Sequence, residues 1–293
     1  MAHRAGFVNI IGNPNVGKST LMNALTGEPL TVITPKAQTT RHRIIGIING
    51  NDYQVVFSDT PGILNPKYKL HKALMKQVFD ALGDADVFLY VIEPGEPLPE
   101  NKDIIKQINV SDIPVILLIN KIDNAKDETI ALTKQKWDGI FNNTVFIPIS
   151  ALKKTNLNLV MDTIISFLPE SPPYYAQDEL TDKPLRFFVS EIIREKIFLL
   201  YSKEIPYCSE VVIEAFKEEK EIIRIVATIF VARESQKAIL LGHKGRAIKR
   251  LGIEARKDIE AFFKKHIFLD MSVKVSENWR DNEITLKKFG YEL

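Results

Sequence analysis

FVNIIGNPNVGKSTLMNALTG, residues 7–27, is the stretch from which the rest of the chain is read. It opens on a short apolar run, turns through a glycine-framed loop and continues with helical spacing that stops at Gly27. Gly12, Asn13, Pro14, Asn15, Val16, Gly17, Lys18 and Ser19 satisfy the pattern GxxxxGK[ST] between a strand and a helix, the context that gives the pattern meaning. The glycines let consecutive backbone N–H groups turn inward around phosphate oxygens, and the helix N-terminus adds the positive end of its dipole. Lys18 is placed to reach the β- and γ-phosphates, and Ser19, followed by Thr20, to offer an oxygen to Mg²⁺.

Around this loop, residues 7–168 read as strands alternating with helices. RIIGIINGNDYQVVFSDT is two apolar runs about Asn49-Gly50, a hairpin signal. DVFLYVIEP, IPVILLINK and NTVFIPIS are runs of the buried-strand kind. The class is α/β, a mostly parallel sheet flanked by helices with one antiparallel edge hairpin. LPESPPYYAQDELTDKP, 168–184, has four prolines and polar filling and reads as a linker. The expected organisation is a first domain over 1–170, a linker over 171–184 and a second domain over 185–293.

Four further motifs fall at strand ends or between elements of the first domain. Asn120, Lys121, Ile122 and Asp123 follow the strand PVILLI directly. A carboxylate there accepts the N1–H and N2–H₂ donors of guanine, whereas adenine would leave it unpaired at a cost of about 1–3 kcal/mol. Lys121 would lie along the base plane. Ser150, Ala151 and Leu152 follow the next strand and offer a backbone N–H to guanine O6. Asp59, Thr60, Pro61 and Gly62 end the second hairpin strand, with Asp59 for a Mg²⁺-bound water and the Gly62 N–H for the γ-phosphate. In KAQTTR, 36–41, Thr40, or failing that Thr39, would complete the Mg²⁺ shell when GTP is bound. Lys18, Thr40 and Gly62 are thus the expected catalytic set. Arg41, His42 and Arg43 beside them read as a solvated or partner-facing strand start.

The second domain reads α-β-β-α-α-β, with Ser235 as the cap of its second helix and HIFLDMSVKV as a strictly alternating strand. Between two helices lies Gly242-His243-Lys244-Gly245. With two residues between its glycines and Arg246 after them, it cannot wrap a triphosphate as residues 12–19 can. Charge is concentrated here. Residues 1–170 hold 17 basic and 17 acidic residues, whereas 237–265 hold nine and three. Lys244, Arg246, Lys249 and Arg250 follow or sit in the loop. A turn, a protein- or membrane-docking face, and a nucleic-acid clamp remain open on residue types alone. The GxxG loop between helices resembles that of a KH domain of the bacterial type (type II, α+β), in which the loop clamps about four nucleotides by their backbone. That resemblance makes Gly242, His243, Lys244, Gly245, Arg246, Lys249 and Arg250 the expected RNA contacts.

GNPNVGKST, KAQTTR, DTPG, NKID and SAL together resemble the motifs of a translation-factor-class GTPase. With KAQTTRHRIIGI, FFVSEIIREKI and GIEARKDIE, nearly the whole chain resembles the Era family of bacterial ribosome-associated GTPases. The resemblance implies a GTP/GDP cycle with Mg²⁺ and binding to the 3′ end of small-subunit ribosomal RNA within a 30S-type subunit. It further implies a checkpoint role in small-subunit assembly by a cytoplasmic monomer, with peripheral contact at the inner face of the cell membrane as a further association. Asn15 matches the loop asparagine that holds K⁺ in related GTPases. Ile63 stands where Ras-type enzymes carry a water-orienting Gln, which implies slow intrinsic hydrolysis. A membrane- or protein-associated signalling GTPase using the KH-like second domain as an interaction module is the alternative. Cys208 is the single cysteine, so an intramolecular disulfide is excluded. Neither a signal peptide nor an apolar run of membrane-spanning length is read.

Overall fold

The computed structural model describes residues 2–99 and 102–293. The chain forms two compact units. The first takes the chain up to Thr31, then Thr40–Pro66 and Leu74–Asp182, and the second takes Val32–Thr39, Lys67–Ala73 and Lys183–Leu293. The second unit therefore draws two short segments from early in the chain.

The first unit contains β1 (Arg4–Gly12), α1 (Lys18–Thr26), β2 (Ile44–Asn49), β3 (Tyr53–Asp59), most of α2 (Lys69–Leu82), β4 (Val87–Ile92), α3 (Lys102–Ser111), β5 (Val115–Ile119), α4 (Asp127–Trp137), β6 (Thr144–Pro148) and α5 (Leu157–Phe167). Its six strands run in the order β2-β3-β1-β4-β5-β6, all parallel except β2. Every residue of β4 and of β5 is buried, as unbroken apolar runs in a helix-covered parallel sheet must be. The turn between β2 and β3 is closed by the Gly50 N–H donating to Tyr53 O at 2.8 Å. β1 lies between β3 and β4: the chain builds β2 and β3 on one side of it, then crosses from β3 to β4 on the other. The crevice beyond its carboxyl end is where such sheets bind ligands.

The proline-rich stretch is not a free linker over most of its length. Up to Asp182 it belongs to the first unit. Ser171 N–H donates to His3 O at 3.1 Å, Ile47 N–H to Leu180 O at 2.9 Å, and the Tyr174 ring sits 5.0 Å from Phe7. Its main anchor is Gln54, wholly buried on β3. The Oε1 of Gln54 accepts from Tyr174 N at 2.7 Å and Tyr175 N at 3.0 Å, and its Nε2 donates to Tyr175 O at 2.9 Å. Prolines remove donors from this stretch, and one buried amide satisfies several of the polar groups that remain.

The second unit contains α6 (Leu185–Leu200), α7 (Ile205–Cys208), β7 (Glu210–Glu218), β8 (Ile222–Val231), α8 (Glu234–Leu241), α9 (Arg246–Phe263), β9 (His266–Val275) and α10 (Glu283–Lys288). The strands run β7-β8-β9, with β7 antiparallel and β9 parallel to β8. Ile223, Ile225, Ala227, Ile229 and Val231 of β8 form the floor of a core closed by Val189, Ile193 and Ile197 of α6 and Leu251, Ala255 and Ile259 of α9. Ser235 does not cap α8. The helix starts at Glu234 with Arg233 at the cap position, and the Ala232 N–H donates instead to Gln236 Oε1 at 3.1 Å.

Two early segments of the chain complete this unit. Lys36 Nζ donates to the carbonyls of Phe198 and Tyr201 at the end of α6, where a helix leaves carbonyls unpaired. Arg194, buried and paired with Glu191 on the same helix, donates to Thr39 O. Lys69 pairs with Glu283 at 2.9 Å, and the Arg280 guanidinium lies 4.7 Å over the Tyr68 ring. No helix among the described residues is long and apolar enough to cross a membrane.

Gln54→Ala leaves three part-buried backbone groups of residues 174–175 without their side-chain partner. The substitution is expected to lower unfolding free energy by about 1–3 kcal/mol in chemical denaturation and to open residues 171–182 to limited proteolysis. A segment that stays protease-resistant in the variant would show that Gln54 is not its anchor.

Candidate functional site

Residues 12–17 form a loop whose carbonyls are engaged by side-chain and backbone donors. Lys18 Nζ donates to Gly12 O at 3.0 Å and Asn13 O at 2.9 Å, and the Ile63 N–H also donates to Gly12 O at 3.2 Å. Lys121 Nζ donates to Asn15 O at 2.6 Å, and Asn120 Nδ2 to Val16 O at 2.8 Å. With these carbonyls engaged, the backbone N–H groups are the donors the loop has to offer an anion. The backbone bends this requires appear at Gly12 (φ 152°), Asn15 (φ 67°) and Gly17 (φ 99°).

Lys18 is buried, and burial lowers its pKa to about 8 against the opposing fields of Asp59 and Glu96. Asp59, at the end of β3, is also buried, and burial raises its carboxyl to about 6 although Lys18, Ser19 and Thr40 all favour the charged form. Both shifts reflect lost hydration of a charge. Ser19 Oγ donates to Asp59 Oδ2 at 2.7 Å, Thr40 Oγ1 lies 2.9 Å from Ser19 Oγ, and Thr40 Oγ1 donates to Asp59 Oδ2 at 3.4 Å. Asp59 Oδ1 is buried without a hydrogen-bond partner. Three convergent oxygens and an orphaned carboxylate oxygen suit a hard divalent cation such as Mg²⁺. Of the two threonines in KAQTTR, Thr40 joins this cluster. Thr39 turns away, bonded to Thr34 Oγ1 at 2.5 Å and donating to Lys36 O at 2.7 Å.

Gly62 approaches the loop so closely that a Cβ there would stand 2.8 Å from Pro14 Cα and N. Thr60 Oγ1 donates to Ile10 O at 3.0 Å, which pins the turn behind Pro61. Ile63 is buried among Ile11, Met75 and Val78 and has no group that could orient water. At the far side of the site, Asn120 bridges two loops, donating to Val16 O and accepting from the Ala151 N–H at 2.9 Å. The N–H expected to meet a base oxygen is therefore engaged by Asn120 here. Asp123 is exposed, its Oδ1 accepting from Ser150 Oγ at 2.6 Å. Leu152 is 70% exposed.

Four residues around the site depart from what the sequence suggests. Arg41, expected at a solvated strand start, is fully buried next to Thr40 of the oxygen cluster. Arg43 is pinned as well, donating to Ser58 Oγ at 2.6 Å and pairing with Asp84 at 2.7 Å. The other two are a pair of glutamates in the loop after β4, which no motif marks. Glu96 Oε1 accepts from Asn13 Nδ2 at 2.6 Å, and Glu93 Oε1 takes Lys121 Nζ at 2.5 Å. Their one signal in the sequence is an acidic pair, EPGEP, directly beyond the carboxyl end of a central strand.

In the second unit, Gly242 (φ 67°) ends α8 and Gly245 (φ 76°) opens α9, joined by one tight turn. A Cβ on Gly242 would lie 2.6 Å from Ala247 Cβ. His243, Lys244, Arg246, Lys249 and Arg250 are all exposed. Beside them, Ile248, Gly252, Ile253 and Arg256 of α9 face Phe268, Leu269 and Met271 of β9 across an open groove.

Asn120→Ala removes both hydrogen bonds to buried backbone groups. The nucleotide-free protein is expected to lose about 2–4 kcal/mol of stability by denaturant titration. A loss below about 0.5 kcal/mol would mean that water replaces the carboxamide.

The family model described as "50S ribosome-binding GTPase" matches residues 7–121, and the KH domain model matches residues 204–280. The chain is 43% identical over its whole length to GTPase Era of Caldanaerobacter subterraneus subsp. tengcongensis, covering 99% of that protein. It is 43% identical over 98% of its length to GTPase Era of Syntrophus aciditrophicus, covering 95% of that protein. The crystal structure of Era in complex with MgGDPNP and nucleotides 1506–1542 of 16S ribosomal RNA superposes with a TM-score of 0.91 at 37% identity, covering 99% of this chain and all of that one. A single-site variant of Aquifex aeolicus Era bound to GDP·AlF4⁻ matches equally well in identity, coverage and TM-score. By sequence and by fold, this chain belongs to the Era family of GTPases.

Proposed function

We propose that the chain is a GTP-driven switch that binds single-stranded RNA at the 3′ end of small-subunit ribosomal RNA and acts in small-subunit assembly. The Ser19–Thr40–Asp59 cluster beside buried Lys18 carries the first half of this reading. Lys18 and the backbone N–H groups of residues 12–17 would take the phosphates, with the Gly62 N–H on the γ-phosphate. Asn120, Lys121 and Asp123 would take the guanine, its O6 competing with Asn120 for the Ala151 N–H. Ser19, Thr40 and Asp59 would hold Mg²⁺, which when bound neutralises phosphate charge.

Hydrolysis would be slow because Ile63 is buried and apolar. Asn15, at the exposed apex of the loop, is the candidate K⁺ ligand. Turnover is then expected to be faster in K⁺ than in Na⁺ at equal ionic strength, and identical rates would remove this role from Asn15.

The exposed cations around Gly242–Gly245, with the apolar groove beside them, support the RNA half. The relatives bring the identity of the RNA, since one of them was crystallised with 16S nucleotides 1506–1542. The setting we infer is a monomer in the cytoplasm working on a 30S-type subunit. The segments 32–39 and 67–73 flank Thr40 and Gly62 in the chain yet pack in the second unit. They would carry the nucleotide state to the RNA site.

RNA affinity is expected to fall linearly with the logarithm of salt and to vanish in Gly242→Asp and Gly245→Asp. It should be higher with a GTP analogue than with GDP or in Lys18→Ala protein. Equal affinity in those three states would refute the coupling. Anionic-vesicle binding that survives both glycine substitutions, without RNA binding, would favour membrane association of the second unit instead.

A further inference from the structure

We infer that Glu96, in the loop between β4 and α3, is a positioning residue for the phosphate loop, acting through Asn13. The inference rests on the reading of residues 12–19 as the nucleotide site.

The phosphate loop has a structural problem that its own sequence does not solve. Its closely spaced N–H groups are mutually repulsive dipoles when no anion is bound, and Asn15, which is not glycine, takes a positive φ. It must therefore be held by side chains and by other segments. The carbonyls of Gly12, Asn13, Asn15 and Val16 are held by Lys18, Ile63, Lys121 and Asn120. Asn13 is held a second time, by its side chain, and its partner is Glu96.

Glu96 is well placed to act as a fixed point. Its Oε2 accepts from the Glu93 N–H at 2.7 Å, and its own N–H donates to Glu93 O at 3.1 Å. The Gly95 N–H donates to Thr133 Oγ1 at 2.7 Å, and Trp137 Nε1 donates to Glu96 O at 3.4 Å, so α4 anchors the loop from behind. Glu93 sends a second arm through Lys121 to Asn15 O. Two glutamates three residues apart thus brace the two sides of the phosphate loop from one turn.

The charge of Glu96 is a cost in this location. Burial raises its pKa, and it faces a site built for anions. A carboxylate retained there serves geometry, because two acceptor oxygens on one rigid fork fix Asn13 and the Glu93 backbone together. Asn13 also supplies one of the two carbonyls under Lys18. Releasing Asn13 would therefore loosen the ammonium that meets the phosphates, and would weaken ground-state nucleotide binding more than it slows chemistry.

The test uses the full-length protein with fluorescent GDP and a non-hydrolysable GTP analogue. Equilibrium affinity, kcat and KM are measured for wild type, Glu96→Ala, Glu96→Gln, Asn13→Ala, the Asn13→Ala/Glu96→Ala double variant and Lys18→Ala. Glu96→Ala is expected to weaken both nucleotides about tenfold, with kcat within about twofold of wild type. The double variant should bind within about twofold of Glu96→Ala, since both changes break one contact. Glu96→Gln keeps one acceptor but replaces the other with an amide donor, so it should recover part of the affinity that Glu96→Ala loses. It also serves if the alanine variant does not fold. Unchanged affinity in Glu96→Ala, multiplicative losses in the double variant, or Gln binding no better than Ala would each overturn the role of Glu96. If Lys18→Ala binds nucleotide as well as wild type, the reading of residues 12–19 fails instead.

Discussion

The first unit is organised around one buried positive charge. An ammonium taken out of water with no partner costs several kcal/mol or more. Lys18 is accommodated because two carbonyls of the loop accept from it, and because Asp59 and Glu96 supply negative field from two sides. The compensation is incomplete, since its pKa still falls to about 8. A polyphosphate would add the negative charge that completes it. On the proposed function, Lys18 is then a cation that bound phosphate would stabilise further.

That requirement reaches across the sheet. The distant segments that touch the phosphate loop arrive from the carboxyl ends of different strands: Ile63 from the turn after β3, Glu96 from the loop after β4, and Asn120 and Lys121 from β5. Parallel strands with β1 near the centre bring these ends together, whatever their distance in the chain. The apolar runs of β4 and β5 are buried along their whole length, so the polar residues that follow them emerge together at one edge. The second unit uses a different device. Its GxxG turn needs no distant partner, because both glycines, the exposed cations and the start of α9 lie within nine consecutive residues.

This difference governs how much of each site is legible in the amino-acid sequence. The GxxG turn, the P-loop and NKID are each contiguous, and the chemistry of each is local. The sheet follows from run length and the hairpin from Asn49-Gly50. Legibility fails where a residue's role is set by a partner far away in the chain. Gln54 has the look of an ordinary polar residue on a strand, yet it secures a segment 120 residues later. Arg41 stands in a polar stretch that suggests solvent, yet it is buried. Ser235 has the right identity for a cap but stands two residues past the cap position.

The fold class of both halves, the nucleotide motifs and the position of the basic loop are written in the chain itself. Hydrophobic period, glycine placement and motif spacing act over a few residues and can be counted along it. Which of Thr39 and Thr40 joins Ser19 and Asp59 is not written there, because adjacent residues in an irregular segment differ only in the direction they face; folding selects Thr40. Folding also assigns residues 32–39 and 67–73 to the second unit and 171–182 to the first. It brings Glu96 to Asn13, 83 residues away. Such pairings are made by strand order and burial, which bring together groups that carry no mark of one another in the sequence.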